Sequence, residues 1–430
     1  MKNIITRRSF VNNSSKLLAA ATLTPALINI SGNTSVSTSK VLKVGLIGCG
    51  GRGTGAANQA LNADNNVIIT AMADVFEDRL HQSLHNLEKL HPQRVKVNKS
   101  NLHLGFDAWQ KVINSDVDVI LLATPPAFRP DHLAAAVAAG KHVFCEKPMA
   151  VDAPGVRKIL TAAKEARKKE LSLVAGFCWR YHYPKRATFD KILNGSIGKV
   201  TSVYNTYNTG ELWSRAKQPE WSKLEYELRN WLYYNWLSGD HIAEQAVHSL
   251  DMMSWAMGDQ TPIRATGTGG RQSRTEDIYG NVFDHFAIVY EYPDNVKGYH
   301  FSRQQKNCSN SYAVQISGTK GNANIDCIRR VHEISNEESW QYQGEENNMY
   351  QTEHDELFAS IRKVKPINDG EWMAKSTMLA IMGRMAAYTG QTIEWKEALA
   401  LEEKIGPSID EYNWQLKWPM APVAKPGRKL

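Results

Sequence analysis

An α/β fold is what the sequence predicts, with a parallel sheet near its start. Three observations carry that reading. Apolar runs at 41–47, 67–73, 118–123, 142–145 and 171–176 have the length of buried strands, and stretches of helical length separate them. The first run empties into Gly48-Cys49-Gly50-Gly51-Arg52-Gly53, a G-x-G-x-x-G turn ahead of a helical pattern. Further strand-like runs, separated by turn signals, fill the later part of the chain. At 430 residues there is room for two or three domains of roughly 100–200 residues each.

Residues 1–40 read as an address and a linker. Thr6-Arg7-Arg8-Ser9-Phe10-Val11 precedes the mostly apolar stretch Leu17 to Ile30, and no acid appears before position 41. This resembles a twin-arginine export signal, with Asn12 standing where such signals often carry Lys. No clear A-x-A cleavage site follows, and 31–40 is Ser/Thr-rich. The resemblance implies a periplasmic or exported protein and the twin-arginine machinery as a partner. That route carries folded proteins, so a tightly held cofactor acquired beforehand is expected.

Residues 41–177 read as a dinucleotide-binding Rossmann domain. In the glycine turn, the first Gly makes the tight bend and the second lets the backbone approach a pyrophosphate. The third lets strand and helix pack closely, and the helix N-terminus faces the phosphates. The strand Val67 to Ala73 runs into Asp74, 21 residues after Gly53, where an acid accepts the ribose hydroxyls and disfavours a 2′-phosphate. This favours NAD; Arg52 and Arg79 leave NADP open. Asp74 is also placed to cap the next helix. The alternation continues with a helix over 104–114, a strand over 118–123 ending in Thr124-Pro125-Pro126, a helix over 131–139 closed by Gly140, and a strand over 142–145. The last ends in Glu146-Lys147-Pro148. Cofactor and catalytic groups of open α/β sheets gather at such strand ends, so Thr124, Pro125, Glu146 and Lys147 are candidates.

The glycine turn, Asp74, Ala123-Thr124-Pro125 and Glu146-Lys147-Pro148 resemble the glucose–fructose oxidoreductase, inositol dehydrogenase and rhizopine-catabolism (Gfo/Idh/MocA) family. The resemblance covers nearly everything after the signal. It implies a Rossmann domain followed by an α/β domain with an open, mainly antiparallel sheet, often used for oligomer contacts, hence a homo-oligomer (dimer or tetramer). It also implies hydride transfer between NAD(P) and a hydroxyl carbon of a sugar, cyclitol or related polyol.

Residues 178–430 read as the substrate-binding and oligomerisation domain, with closing helices over 353–358 and 372–388. Strand-like runs lie at 200–207, 283–292, 298–302, 312–317 and 322–326. His241, Glu244, His248 and Asp251 are spaced 3, 4 and 3, which puts them on one helix face. By the resemblance, Glu244 takes the family's acid position, where many relatives have Asp, and His248 the base position, with Lys147 opposite. A base takes the hydroxyl proton, Lys147 stabilises developing negative charge, and Glu244 orients the sugar or tunes His248. Arg180, Tyr181, Trp231 and His241 are expected to line the substrate site. Nine of the chain's 28 Trp and Tyr residues crowd between Tyr204 and Trp236, which suits either an aromatic platform for a sugar or packing at a subunit contact. No metal site is expected, although His241, Glu244 and His248 are the residue types that bind zinc.

The net charge of +7 first suggests an acidic partner such as nucleic acid. Lys2, Arg7, Arg8, Lys16 and Lys40 supply five of the seven, and Lys425, Arg428 and Lys429 three more, so 41–424 carry a net −1. The nucleic-acid reading therefore falls away. Five widely spaced cysteines with no C-x-x-C argue against a disulfide framework or zinc ribbon. The expectation is an exported sugar or glycoside oxidoreductase, with a 3-keto-glycoside as one product it would form. Two alternatives stand beside it. One is a redox-neutral glycosidase resembling glycoside hydrolase family 109; the other is a non-catalytic sugar- or nucleotide-binding protein.

Overall fold

The computed structural model describes residues 40–427, so the twin-arginine segment lies outside the described residues. Six parallel strands form the first sheet, in the order β3-β2-β1-β4-β5-β6. They are β1 (Leu42–Ile47), β2 (Val67–Asp74), β3 (Leu102–Leu104), β4 (Val119–Leu122), β5 (His142–Cys145) and β6 (Leu173–Ala175). The order reverses between β1 and β4, which opens a crevice at the strands' carboxyl ends. Crossover helices Gly51–Ala63, Glu77–Leu90, Arg129–Ala138 and Ala153–Lys168 connect the strands. The last is started by Asp152, whose side chain accepts the Gly155 N–H at 2.9 Å, with Pro154 in the first turn.

One element differs from the sequence reading. The helix expected over 104–114 is only Ala108–Ile113, and Leu102–Leu104 forms the edge strand β3. Three residues paired on one side show no apolar run, so hydrophobic pattern had nothing to register.

The second sheet has nine strands in the order β14-β13-β12-β11-β7-β10-β9-β8-β15. They are β7 (Val200–Thr209), β8 (Arg264–Gly270), β9 (His285–Glu291), β10 (Lys297–Gln304), β11 (Ser311–Gly318), β12 (Gly321–Asp326), β13 (Val331–Ser335), β14 (Trp340–Gln341) and β15 (Ile393–Glu394). Its pairs are antiparallel except β7 with β10. This is the open, mainly antiparallel sheet that the resemblance implied. Val203, Ile288, Tyr290, Val314 and Ile316 point inward, while Tyr204 and Phe301 stand exposed on the other face.

Helices tie the two sheets into one compact unit. Gly370–Thr389 is buried nearly all round and packs on both Ala153–Lys168 and β8. Met349–Arg362 runs back onto Gly51–Ala63, placing Leu357 and Phe358 in the core of the first sheet. No helix among the described residues is long and apolar enough to cross a membrane.

Candidate active site

The glycine turn has a closed side and an open side. Gly48 has φ +93°, and a Cβ there would lie 2.8 Å from the backbone of Ala123 and Thr124. A Cβ on Gly53 would lie 1.9 Å from the Gly48 carbonyl oxygen, so strand and helix meet only through glycine. Gly51 has nothing within 4 Å of its Cβ position, and Gly50 only the Arg79 guanidinium at 3.4 Å. The turn thus leaves a bare backbone face where a diphosphate needs one. Asp74, at the end of β2, accepts the Cys49 N–H at 2.6 Å and the Phe76 N–H at 2.9 Å. It therefore braces the glycine turn and the start of the helix Glu77–Leu90, while burial pushes its pKa up. Gly48, Gly50, Asp74, Arg79, Thr124 and Pro125 line one pocket.

At the end of β5, Glu146 pairs with Arg52, which also donates to Gln59 at 2.8 Å and to Glu353 at 3.4 Å. The next residue, Lys147, is 13% exposed; its Nζ donates to the Glu244 carbonyl and lies 3.4 Å from Glu244 Oε1. Glu244 Oε2 accepts from Gln245 Nε2 at 2.7 Å, and Gln245 Oε1 accepts the Tyr207 hydroxyl at 2.9 Å. Glu244 therefore engages Lys147 and Gln245, and no hydrogen bond joins it to His248. The His248 ring packs against Trp179 at 5.0 Å and Phe177 at 6.0 Å, with Nδ1 lacking a hydrogen-bond partner. Burial, reinforced by Lys147 and Lys185, holds His248 well below the usual imidazole range. The ring is therefore held neutral, with Nδ1 buried and unpaired.

Four expected substrate residues are placed elsewhere. The chain does not run as one helix from His241 to Asp251. Asp240, at φ +69°, starts a four-residue helix His241–Glu244, and a turn at Gln245–Ala246 precedes the helix Val247–Ala256. His241 is thereby turned into the sheet, 3.2 Å from both the Phe283 carbonyl and Ser302 Oγ. That placement also separates it from Glu244 and His248 as a zinc ligand set. Arg180 is buried in a cluster with Asp251 and Asp259 and lies over the Trp372 ring at 4.0 Å. Tyr181 donates its buried hydroxyl to Asp369 at 2.6 Å. Trp231 lines the pocket of Asp74, at the dinucleotide end of the crevice. The aromatic crowd likewise disperses: Tyr204 is on the exposed sheet face, Trp236 is core, and Tyr207 stands with Trp179 near His248.

Comparison with known proteins agrees with this geometry. The profile described as "Oxidoreductase family, NAD-binding Rossmann fold" matches residues 42–174, and that of the GFO/IDH/MocA C-terminal domain matches 187–324. The chain belongs to the Gfo/Idh/MocA oxidoreductase family. Myo-inositol 2-dehydrogenase of Thermotoga maritima is 24% identical over 374 residues, covering 85% of this chain and all of that one. The 2,7-anhydro-N-acetylneuraminate hydratase of Escherichia coli is 25% identical, over 66% of this chain and 68% of its own. Levoglucosan dehydrogenase in complex with NADH and levoglucosan shares the fold, with a TM-score of 0.65 at 17% identity, covering 82% of this chain and 99% of that one.

As a Gfo/Idh/MocA oxidoreductase the chain is an NAD-dependent enzyme. The open face at Gly50 and Gly51, with Asp74 at the strand end, fits the dinucleotide. Several residues of the site were not singled out from sequence. Arg129, buried, donates to the Pro148 carbonyl at 2.6 Å and fixes the Glu146-Lys147-Pro148 turn. Phe76, Phe106 and Phe128 wall the dinucleotide pocket, and Tyr412 and Trp414 pack over them at 4.8–5.9 Å. An aromatic repeat at 106, 128, 412 and 414 has no sequence signature; only the fold brings it together. Trp179 abuts a candidate, Arg180, yet its own role appears only in its contact with His248.

Proposed function

We propose that the protein is an exported oxidoreductase that moves hydride between tightly bound NAD and a secondary hydroxyl carbon of a sugar or glycoside, giving a 3-keto-glycoside in one direction. The observation that carries the reading is the pairing of Lys147, at a strand end beside the glycine turn, with Glu244, next to a buried neutral His248. When bound, NAD supplies the hydride acceptor. Lys147 Nζ, held by the Glu244 carbonyl and carboxylate, donates to the substrate hydroxyl oxygen and steadies its negative charge. His248 accepts the hydroxyl proton on a ring nitrogen. Trp179 and Tyr207 offer apolar faces beside it for a sugar ring.

Tight retention is supported by the brace that Tyr412 and Trp414 form against Phe76, Phe106 and Phe128, three walls of the dinucleotide pocket. A retained cofactor is what an enzyme addressed by Arg7-Arg8 requires, since it leaves the compartment that exchanges NAD. Cell fractionation tests the address: wild type belongs in the exported fraction and Arg7→Lys/Arg8→Lys in the cytoplasm, and equal distribution of the two counts against export. The exposed sheet face carrying Tyr204 and Phe301 is the surface for a homo-oligomer, dimer or tetramer.

A second reading has one observation in its favour, the similarity to a hydratase, whose named reaction has no net redox change. In that reading, oxidation acidifies a neighbouring C–H, a bond eliminates and hydride returns. Incubation with a glycoside panel separates the two: keto-sugar with NADH supports the dehydrogenase, and aglycone release without either supports the redox-neutral route. No turnover and no dinucleotide released on denaturation supports a non-catalytic binding protein instead.

A further inference from the structure

The helix Gly370–Thr389 borders a second cavity, lined by other residues than the candidate active site. It measures about 610 Å³, is partly open to solvent, and has the C-terminal segment 401–425 as one of its walls. Ligand sites for small molecules run to roughly 300–1,000 Å³, so this volume has room for one. Trp236, Ile381, Tyr388 and Trp418 give it apolar walls. None of these residues lines the dinucleotide pocket or belongs to the group Lys147, Glu244 and His248.

The cavity also holds a cation without a counter-ion. Arg384 lines it and is 4% exposed; Nη2 donates to the Val151 carbonyl at 2.7 Å, while Nη1 has no hydrogen-bond partner. Nearby acids are already committed. Asp152 accepts the Gly155 N–H on Oδ1 and the Ile405 N–H on Oδ2, and Asp240 accepts the Tyr388 hydroxyl at 2.5 Å. A buried guanidinium with an unmet donor is costly to hold unless an acceptor reaches it. Lys404 and Lys425 add positive charge to the same lining, opposed by Asp152 and Glu403, so its three cations outnumber its two acids.

We propose that this cavity is a second ligand site, separate from the redox centre, for a small organic anion with an apolar or aromatic body. The anionic head meets Arg384, and the body lies between Trp236, Tyr388 and Trp418. The guanidinium's fork suits a carboxylate, which accepts two parallel N–H groups.

Calorimetric titration of the full chain, with its dinucleotide bound, tests the site using benzoate as probe and benzyl alcohol as its neutral counterpart. One benzoate per chain is expected, with benzyl alcohol at least about tenfold weaker. Arg384→Gln lowers benzoate affinity by a similar factor and leaves that for benzyl alcohol unchanged. Because Arg384 is buried, Ala424→Phe provides a second variant, filling the cavity from a half-buried position of the tail; it abolishes binding of both probes and keeps the dinucleotide. Absence of saturable benzoate binding by wild type overturns the proposal, as does binding that Ala424→Phe leaves intact.

Discussion

At the scale of single residues, two cations of similar burial do different work. Lys147 keeps a partly open ammonium between a carbonyl and a carboxylate, whereas Arg180 is spent on Asp251 and Asp259. Lys147→Ala and His248→Ala are each expected to reduce turnover by about 10²–10⁴ while the far-ultraviolet circular dichroism stays native. Near-normal rates in either variant contradict the assignment. Arg180→Leu strands a buried acid pair, so a loss of about 3–5 kcal/mol in urea unfolding is expected. An Arg180→Leu protein of normal stability but raised KM restores Arg180 to the substrate site. Local motifs singled out Lys147, Glu244 and His248, and the fold brings Lys147 to Glu244, whereas Arg180 and His241 are engaged in buried contacts of their own. Spacing reports which face a residue takes on an unbroken helix, and Asp240 at φ +69° with the turn at Gln245–Ala246 breaks this one.

Among the elements, strands with continuous apolar runs were legible and those without were not. β1, β2, β4 and β5 are buried on both faces and read directly. β8 reads Arg-Ala-Thr-Gly-Thr-Gly-Gly and β15 is two residues long; each exists because a neighbouring strand supplies its pairing. The C-terminal segment is a further case, since its aromatic residues gain meaning only where they fold over Phe76, Phe106 and Phe128. Removing that aromatic brace tests its role. Tyr412→Ala/Trp414→Ala is expected to lose dinucleotide on gel filtration when wild type retains it, and equal retention removes the brace from the account. In the glycine turn, Gly53→Ala brings a methyl within 1.9 Å of the Gly48 carbonyl oxygen. The variant is expected to lose dinucleotide binding, measured by fluorescence of bound NADH.

The whole molecule joins a parallel sheet that carries the dinucleotide site to a mixed sheet whose neighbouring helices His241–Glu244 and Val247–Ala256 supply Glu244 and His248, and several buried imidazoles lie in the structure. His132, His300 and His354 are pushed by burial to about 3, and His248 also lies well below its usual value. Each is neutral when folded and takes a proton near pH 6.5 when unfolded. Their contribution is therefore complete above that value and lost as pH falls below it, by about 1.4 kcal/mol per pH unit for each ring. Thermal unfolding is expected to show a falling midpoint from pH 6.5 to 4.5, whereas a flat midpoint contradicts burial of neutral rings. The basic charge plays no part in this: it is concentrated in the first forty residues and the tail, and 41–424 are close to neutral.

The central claim is hydride transfer from a secondary hydroxyl to bound NAD through Lys147 and His248. It is tested most directly by mixing the NAD-loaded protein with a panel of glycosides and polyols and recording nicotinamide absorbance. The account predicts NADH appearing in step with a keto-sugar in wild type and in neither His248→Ala nor Lys147→Ala. NADH formed equally by wild type and the two variants, or no NADH with any member of the panel, contradicts it.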